Sequence, residues 1–192
     1  MIGLDDRLVA LQARLVEAFG DAVTPSAFLD ELTIVTTGER LLDVLAGCRD
    51  DPEIRCELLA DLSGVHWPAG VHVESGQETT GWPIYQRVGA GQIEVDYILY
   101  SVAHNHRLRV RVSVDDTDPQ LPSATSLYGS ANFMEREVWD FFGVRFDGHP
   151  NLVRVLMPDD WEGHPHRKDY PLGGVEVVYK GQTIPPPDER HY

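Results

Sequence analysis

A chain of 192 residues with 16 Lys and Arg against 31 Asp and Glu carries a formal charge of −15, which repels nucleic-acid backbones and anionic lipid alike. Hydrophobic residues make up 42%, enough for a core, yet no apolar run approaches the roughly 20 residues of a spanning helix. Cys48 and Cys56 are the only cysteines, which excludes a disulfide framework and the set of thiolates that usually holds an iron–sulfur cluster.

Asp5 and Asp6 stand where a signal or transit peptide carries cations, so the expected setting is cytosolic or matrix-like. Leu4, Leu8, Leu11, Leu15 and Phe19 recur at helical spacing before Gly20 and predict an amphipathic helix over 4–19. Residues 28–36, rich in β-formers between Pro25 and Gly38, predict a strand, and 39–49 a helix that ends at Asp50, Asp51 and Pro52. A strand is expected over 57–62. Gly, Pro, Ser and Thr then read as a loop over 63–83, in which 71–74 pair briefly. Runs 92–102 and 107–114 predict a hairpin turning at Ala103, His104, Asn105 and His106. In its second strand Leu108, Val110, Val112 and Val114 alternate with Arg107, Arg109, Arg111 and Ser113, which sets three arginines on one face, in reach of Glu94 and Asp96 or of an acidic partner.

Past Asp115 the texture changes. A helix is expected over 131–142, stopped by Gly143, then strands over 144–146 and 152–156, and a tail of some 35 residues rich in Pro, Gly, His and charge. In the tail, 175–179 read as an edge strand and Pro185, Pro186 and Pro187 as extended chain. So little apolar material points to a tail lying along another protein. The fold class is α+β: a small mixed sheet packed with helices over residues 1–125, then a signature helix and extended docking tail over 126–192.

Most catalytic signatures fail on inspection. Gly89, Ala90 and Gly91 begin a dinucleotide fingerprint, but Glu94 occupies the third glycine position and a strand follows. His104, Asn105 and His106 spell a nuclease motif but form the turn of a hairpin. His149, His164 and His166 share a region with Asp159, Asp160, Glu162 and Asp169, which could gather a divalent ion; His149 and His164 each precede proline, which favours structural turns. On a helical wheel Glu135 falls inside the apolar arc of Met134, Val138, Trp139, Phe141 and Phe142, while Phe133, Arg136 and Asp140 lie across from it. A buried Glu135 needs a partner, with Arg154, Arg167 and Lys168 as the available cations, and Arg136 and Asp140 are spaced for a surface pair. With no nucleophile or second acid near it, Glu135 reads as architecture; a free-standing metal-dependent enzyme built on it and the histidines is the competing reading.

The runs ERE at 135–137, VWDFFGVRFDGHP at 138–150, RVLMPDDWEGHP at 154–165 and RKDYP at 167–171 resemble the signature of one family of NADH-quinone oxidoreductase proteins, the thirty-kilodalton or C-subunit family of respiratory complex I. Val153, where that family often has a cation, and His166, where an apolar residue is usual, depart from it. The resemblance implies a proton-translocating NADH-quinone oxidoreductase on the cytoplasmic face of a bacterial membrane. In it this chain is a peripheral member of the hydrophilic arm beside subunits D and B, with no catalytic residue, no metal and no cofactor of its own, FMN and iron–sulfur clusters being held by partners. Related membrane-bound hydrogenases and ferredoxin- or deazaflavin-linked complexes contain similar proteins. The matching residues are Glu135, Arg136, Glu137, Asp140, His149, Arg154, His164, Arg167, Lys168, Asp169 and Tyr170, expected to shape the helix-to-tail junction and dock the tail.

Overall fold

The computed structural model describes residues 6–28, 31–73, 86–171, 177–179 and 182–184. Helix α1 (Asp6–Phe19) buries Leu11 and Leu15, and α2 (Leu41–Asp50) buries Leu41, Val44, Leu45 and Cys48, the stripes their spacing dictates. A five-stranded sheet in the order β1-β2-β7-β6-β3 receives them. Its strands are β1 (Thr24–Phe28), β2 (Glu31–Thr36), β3 (Leu58–Trp67), β6 (Gln92–Ser101) and β7 (His106–Asp115). All neighbours are antiparallel except β2 and β7, which pair in parallel with Ile34 beside Val110. Short pairs β4 (Gly70–Val73) with β5 (Gln86–Gly89), β8 (Gln120–Pro122) with β9 (Arg145–Asp147), and β10 (Val177–Tyr179) with β11 (Gln182–Ile184) complete the described strands. The third helix, α3 (Ala131–Phe142), joins the same core: Val138 is buried in one cluster with Leu15, Leu45, Tyr97 and Val110.

The alternating hairpin forms as expected, with its turn at 102–105 and Asn105 in left-handed backbone at φ 51°. Three expectations need correction. The strand expected over 28–36 is present as β2, but a further strand not expected, β1, precedes it and pairs with it. The loop expected from residue 63 begins later, because β3 continues to Trp67 opposite Gln92. Gly64, a loop signal in the sequence, is in the strand interior for a packing reason: a Cβ there would lie 2.7 Å from the Phe142 ring. Finally, residues 152–156 form no strand; their amides turn toward the end of α3. Strand β8 was not anticipated, since Pro119 precedes it and Pro122 is its last residue. In the tail, 164–170 bond to the body of this same chain rather than waiting for a partner. Residues 175–176 of the expected edge strand, and Pro185, Pro186 and Pro187, lie outside the described residues.

The contact between β3 and α3 gives a direct test. Gly64→Ala should lower unfolding stability in urea by roughly 1–3 kcal/mol, because the Phe142 ring must move. Gly129→Ala, with open space around it, should change stability by less than about 0.5 kcal/mol. Equal effects at the two sites would contradict the packing account.

Candidate functional site

Helix α3 carries four of the sequence-nominated residues, and both of its ends are fixed by neighbours. At its start the Ser130 hydroxyl does not cap the helix but donates to the Leu59 carbonyl of β3 at 3.0 Å. At its end Gly143 adopts φ 82° and donates to the Trp139 carbonyl, the left-handed stop expected of it. A Cβ on Gly143 would meet the His164 ring at 2.7 Å, so glycine is needed for space as well.

Glu135 is fully buried, as the wheel placed it, but its partners are not cations. The Ser123 hydroxyl donates to Oε2 at 2.7 Å and the Ala124 amide to Oε1 at 2.6 Å. The guanidiniums of Arg154 and Arg167 bond elsewhere, and Lys168 bonds through its backbone amide, to His66. Burial therefore pushes the Glu135 carboxyl up to about 7, against the opposing pull of Ser123 and Ala124. From β6 the Tyr97 hydroxyl, buried and with no hydrogen-bond partner among the described residues, lies in its electrostatic field.

Asp140 departs furthest from expectation. The wheel put it on the outer side of α3 as a surface mate of Arg136; the chain after Gly143 folds back over that side and buries it completely. Its Oδ1 takes the Arg154 guanidinium at 2.5 Å, and its Oδ2 takes three successive amides, Val155 at 3.1, Leu156 at 2.9 and Met157 at 3.0 Å. Burial pushes its carboxyl up, but those amides and the guanidinium outweigh it and hold Asp140 below the ordinary carboxylate value. Its backbone carbonyl accepts from His164 Nδ1 at 3.0 Å. Arg154 goes on to donate to the carbonyls of Trp161 and Gly163, at 2.8 and 3.1 Å. Arg136 spans from α3 to the carbonyls of Val153 and Arg154, at 3.0 and 3.1 Å.

The remaining nominated residues extend this junction. His149 Nε2 donates to the Asn132 carbonyl at 2.9 Å while Nδ1 accepts from the Asn151 amide, so both ring nitrogens are bonded within the chain. His166 stacks on Phe141, ring centroids 3.9 Å apart. Arg167 donates to the Asp116 carbonyl at 2.9 Å and forks onto Asp169. Tyr170 stacks on Trp161 and donates to the Glu162 carbonyl. Glu137 is exposed, and among the described residues no bond reaches it.

Sequence reasoning missed His66, Asp116 and Ser123. The Lys168 amide donates to His66 Nδ1 at 2.8 Å, which leaves Nε2 to donate to Asp116 at 3.0 Å and makes His66 a link between β3 and the tail. Gly91 offered the one available signal: the Asp116 carboxylate fills the place its Cβ would take. Two of the three stripe arginines are paired within the chain, Arg111 bidentate on Asp96 at 2.7 and 2.8 Å and Arg109 on Glu31 at 2.8 Å. Among the described residues no group of three His, Cys, Asp or Glu side chains is placed to hold a metal ion.

Known proteins share both the sequence and the fold that carry this geometry. The family described as "Respiratory-chain NADH dehydrogenase, 30 Kd subunit" matches residues 34–176. The chain is 46% identical over 186 residues to the NADH-quinone oxidoreductase C subunit of Mycobacterium ulcerans, covering 96% of this chain and 71% of that protein. It is 48% identical over 187 residues to the protein of the same name from Mycobacterium tuberculosis, with the same two coverages. Among solved structures, a trypsin-resistant fragment (1–134) of Nqo5 superposes with TM-score 0.54 at 30% identity, over 76% of this chain and 99% of the fragment. A chain of an archaeal membrane-bound sulfane sulfur reductase shares the fold, with TM-score 0.60 at 20% identity over 87% of each.

Two variants separate the carboxylates. The unfolded Glu135 titrates near 4.5 and the folded one near 7, so the native state holds the extra proton between these values and stability falls as pH rises through that window. Glu135→Gln, which mimics the protonated acid, should therefore gain on the wild type by roughly 3 kcal/mol between pH 4.5 and 7 in urea unfolding; a difference that does not vary with pH would refute the buried titration. Asp140→Ala leaves the Arg154 guanidinium without its carboxylate and should cost about 3–5 kcal/mol, with trypsin gaining access to the bond after Arg154. Wild-type stability and protease resistance would show that Asp140 does not hold the loop.

Proposed function

Because the chain belongs to the 30 kDa subunit family of respiratory-chain NADH dehydrogenase, and is thus a subunit of a complex-I-type NADH-quinone oxidoreductase, we propose that its part in that enzyme is architectural. In this reading no residue of the chain takes part in catalysis. The observation that carries it is the fate of the signature side chains: apart from Glu137 and Lys168, they are spent on groups of the same chain, above all around Asp140. Among the described residues the one carboxylate pushed up as an acid–base catalyst's would be, Glu135, is closed off from solvent against Ser123 and Ala124.

FMN and iron–sulfur clusters then belong to partner subunits. Thiol chemistry supports this: Cys48 and Cys56 are fully buried, and burial pushes the Cys56 thiol up to about 12 and Cys48 well above its ordinary value, so neither offers a thiolate. No helix among the described residues is long and apolar enough to cross a membrane, which suits a peripheral place in the hydrophilic arm at the cytoplasmic face. Subunits D and B are the proposed neighbours, met through residues 126–192, while residues 1–125 supply the scaffold.

Purifying the tagged full-length chain from solubilised membranes should bring the other subunits of the oxidoreductase with it, together with flavin and iron–sulfur absorption that the isolated chain lacks. Recovery of the chain alone, or a chromophore in the isolated chain, would contradict the proposal.

A further inference from the structure

Segment 153–162, which follows α3 and β9, is built inside out. Its polar groups turn inward, Arg154 and the amides of 155–157 onto Asp140, while its apolar side chains turn to solvent. Val153 is 45% exposed, Val155 39%, Leu156 56% and Trp161 38%; on the adjoining turn of α3, Phe133 is 64% exposed. Arg136 ties the two parts together, its guanidinium 5.2 Å from the Phe133 ring centroid while it donates to the Val153 carbonyl. Single exposed apolar residues need no explanation, but a run of them on a backbone fixed by buried hydrogen bonds does. Such a loop has already lost the conformational freedom that association would otherwise take from it.

Charge narrows the occupant. Asp159, Asp160 and Glu162 are exposed beside the apolar side chains, and among the described residues no cation pairs with their carboxylates. They repel anionic headgroups, which disfavours a lipid surface. On the reading that the chain is an architectural subunit, we infer that loop 153–162 with Phe133 is its docking hot spot, fitted to an apolar depression rimmed by Lys and Arg on a neighbouring subunit of the complex. Asp140 makes no contact with that neighbour. It is a positioning residue that holds the contact side chains outward.

The test uses the full chain in its membrane complex. The double variant Val155→Glu, Leu156→Glu changes only exposed side chains, so the isolated chain should melt within about 2 °C of wild type. The amount of other subunits recovered with it should fall about tenfold or more, the consequence of losing a hot-spot contact. Asp159→Lys with Asp160→Lys should reduce recovery in the same direction. A photo-crosslinking p-benzoylphenylalanine at Leu156 should mark a partner peptide that is apolar and contains Lys or Arg. Wild-type recovery of the variants, a large drop in melting temperature, or a crosslink to lipid, to an acidic peptide or to nothing would overturn the inference. Failure of the wild-type chain to bring any other subunit would instead strike the architectural reading beneath it.

Discussion

The junction depends on the Asp140 carboxylate. A fully buried charge is tolerated only when its lone pairs are filled by donors, and here four groups from one returning segment fill them. Because three of those donors are consecutive backbone amides, the requirement fixes the path of the chain as well as the placing of a side chain. The Gly143 turn, the His164 ring against it and the Arg154 contacts to Trp161 and Gly163 all follow from bringing residues 155–157 back to the end of α3.

Glu135 and Asp140, little more than a turn apart, show how partner type decides the state of a buried acid. Glu135 meets two neutral donors and is pushed up toward neutrality; Asp140 meets a guanidinium and three amides and stays low. Their tasks differ accordingly. Glu135 ties α3 back to the connection at 123–124, and Asp140 ties the chain ahead to α3. His66 makes a third tie, between the end of β3 and the Lys168 amide, so the segment through Tyr170 is fastened to both layers of the fold.

Period and glycine position made much of this legible in the sequence. The stripe of α1, the alternation of β7 and the stop at Gly143 are local patterns, and the structure has them. What failed depended on distant chain. Gly64 reads as a loop breaker until Phe142 is known to lie across it. Asp140 reads as a surface residue because a helical wheel sees two faces and not the segment that later covers one of them. The apolar run at 152–156 reads as a strand, yet its amides answer a carboxylate. Glu135 was placed correctly because the apolar arc is local; its partners were not, since Ser123 and Ala124 carry no charge to announce them. Among the described residues, all of those drawn from the family resemblance but Glu137 and Lys168 have a side-chain bond within the chain.

Charge distribution gains meaning in the same way. Acidity is concentrated in residues 1–96, while arginines of the second half neutralise buried carboxylates and a sheet face, leaving Asp159, Asp160 and Glu162 beside exposed apolar side chains. Docking through those side chains requires a loop that is rigid before it meets anything. Amide hydrogen exchange of Val155, Leu156 and Met157 in the isolated full-length chain tests that most directly. Bonding to the buried Asp140 predicts exchange slowed about a hundredfold or more relative to unstructured peptide; exchange at the unstructured rate would contradict it.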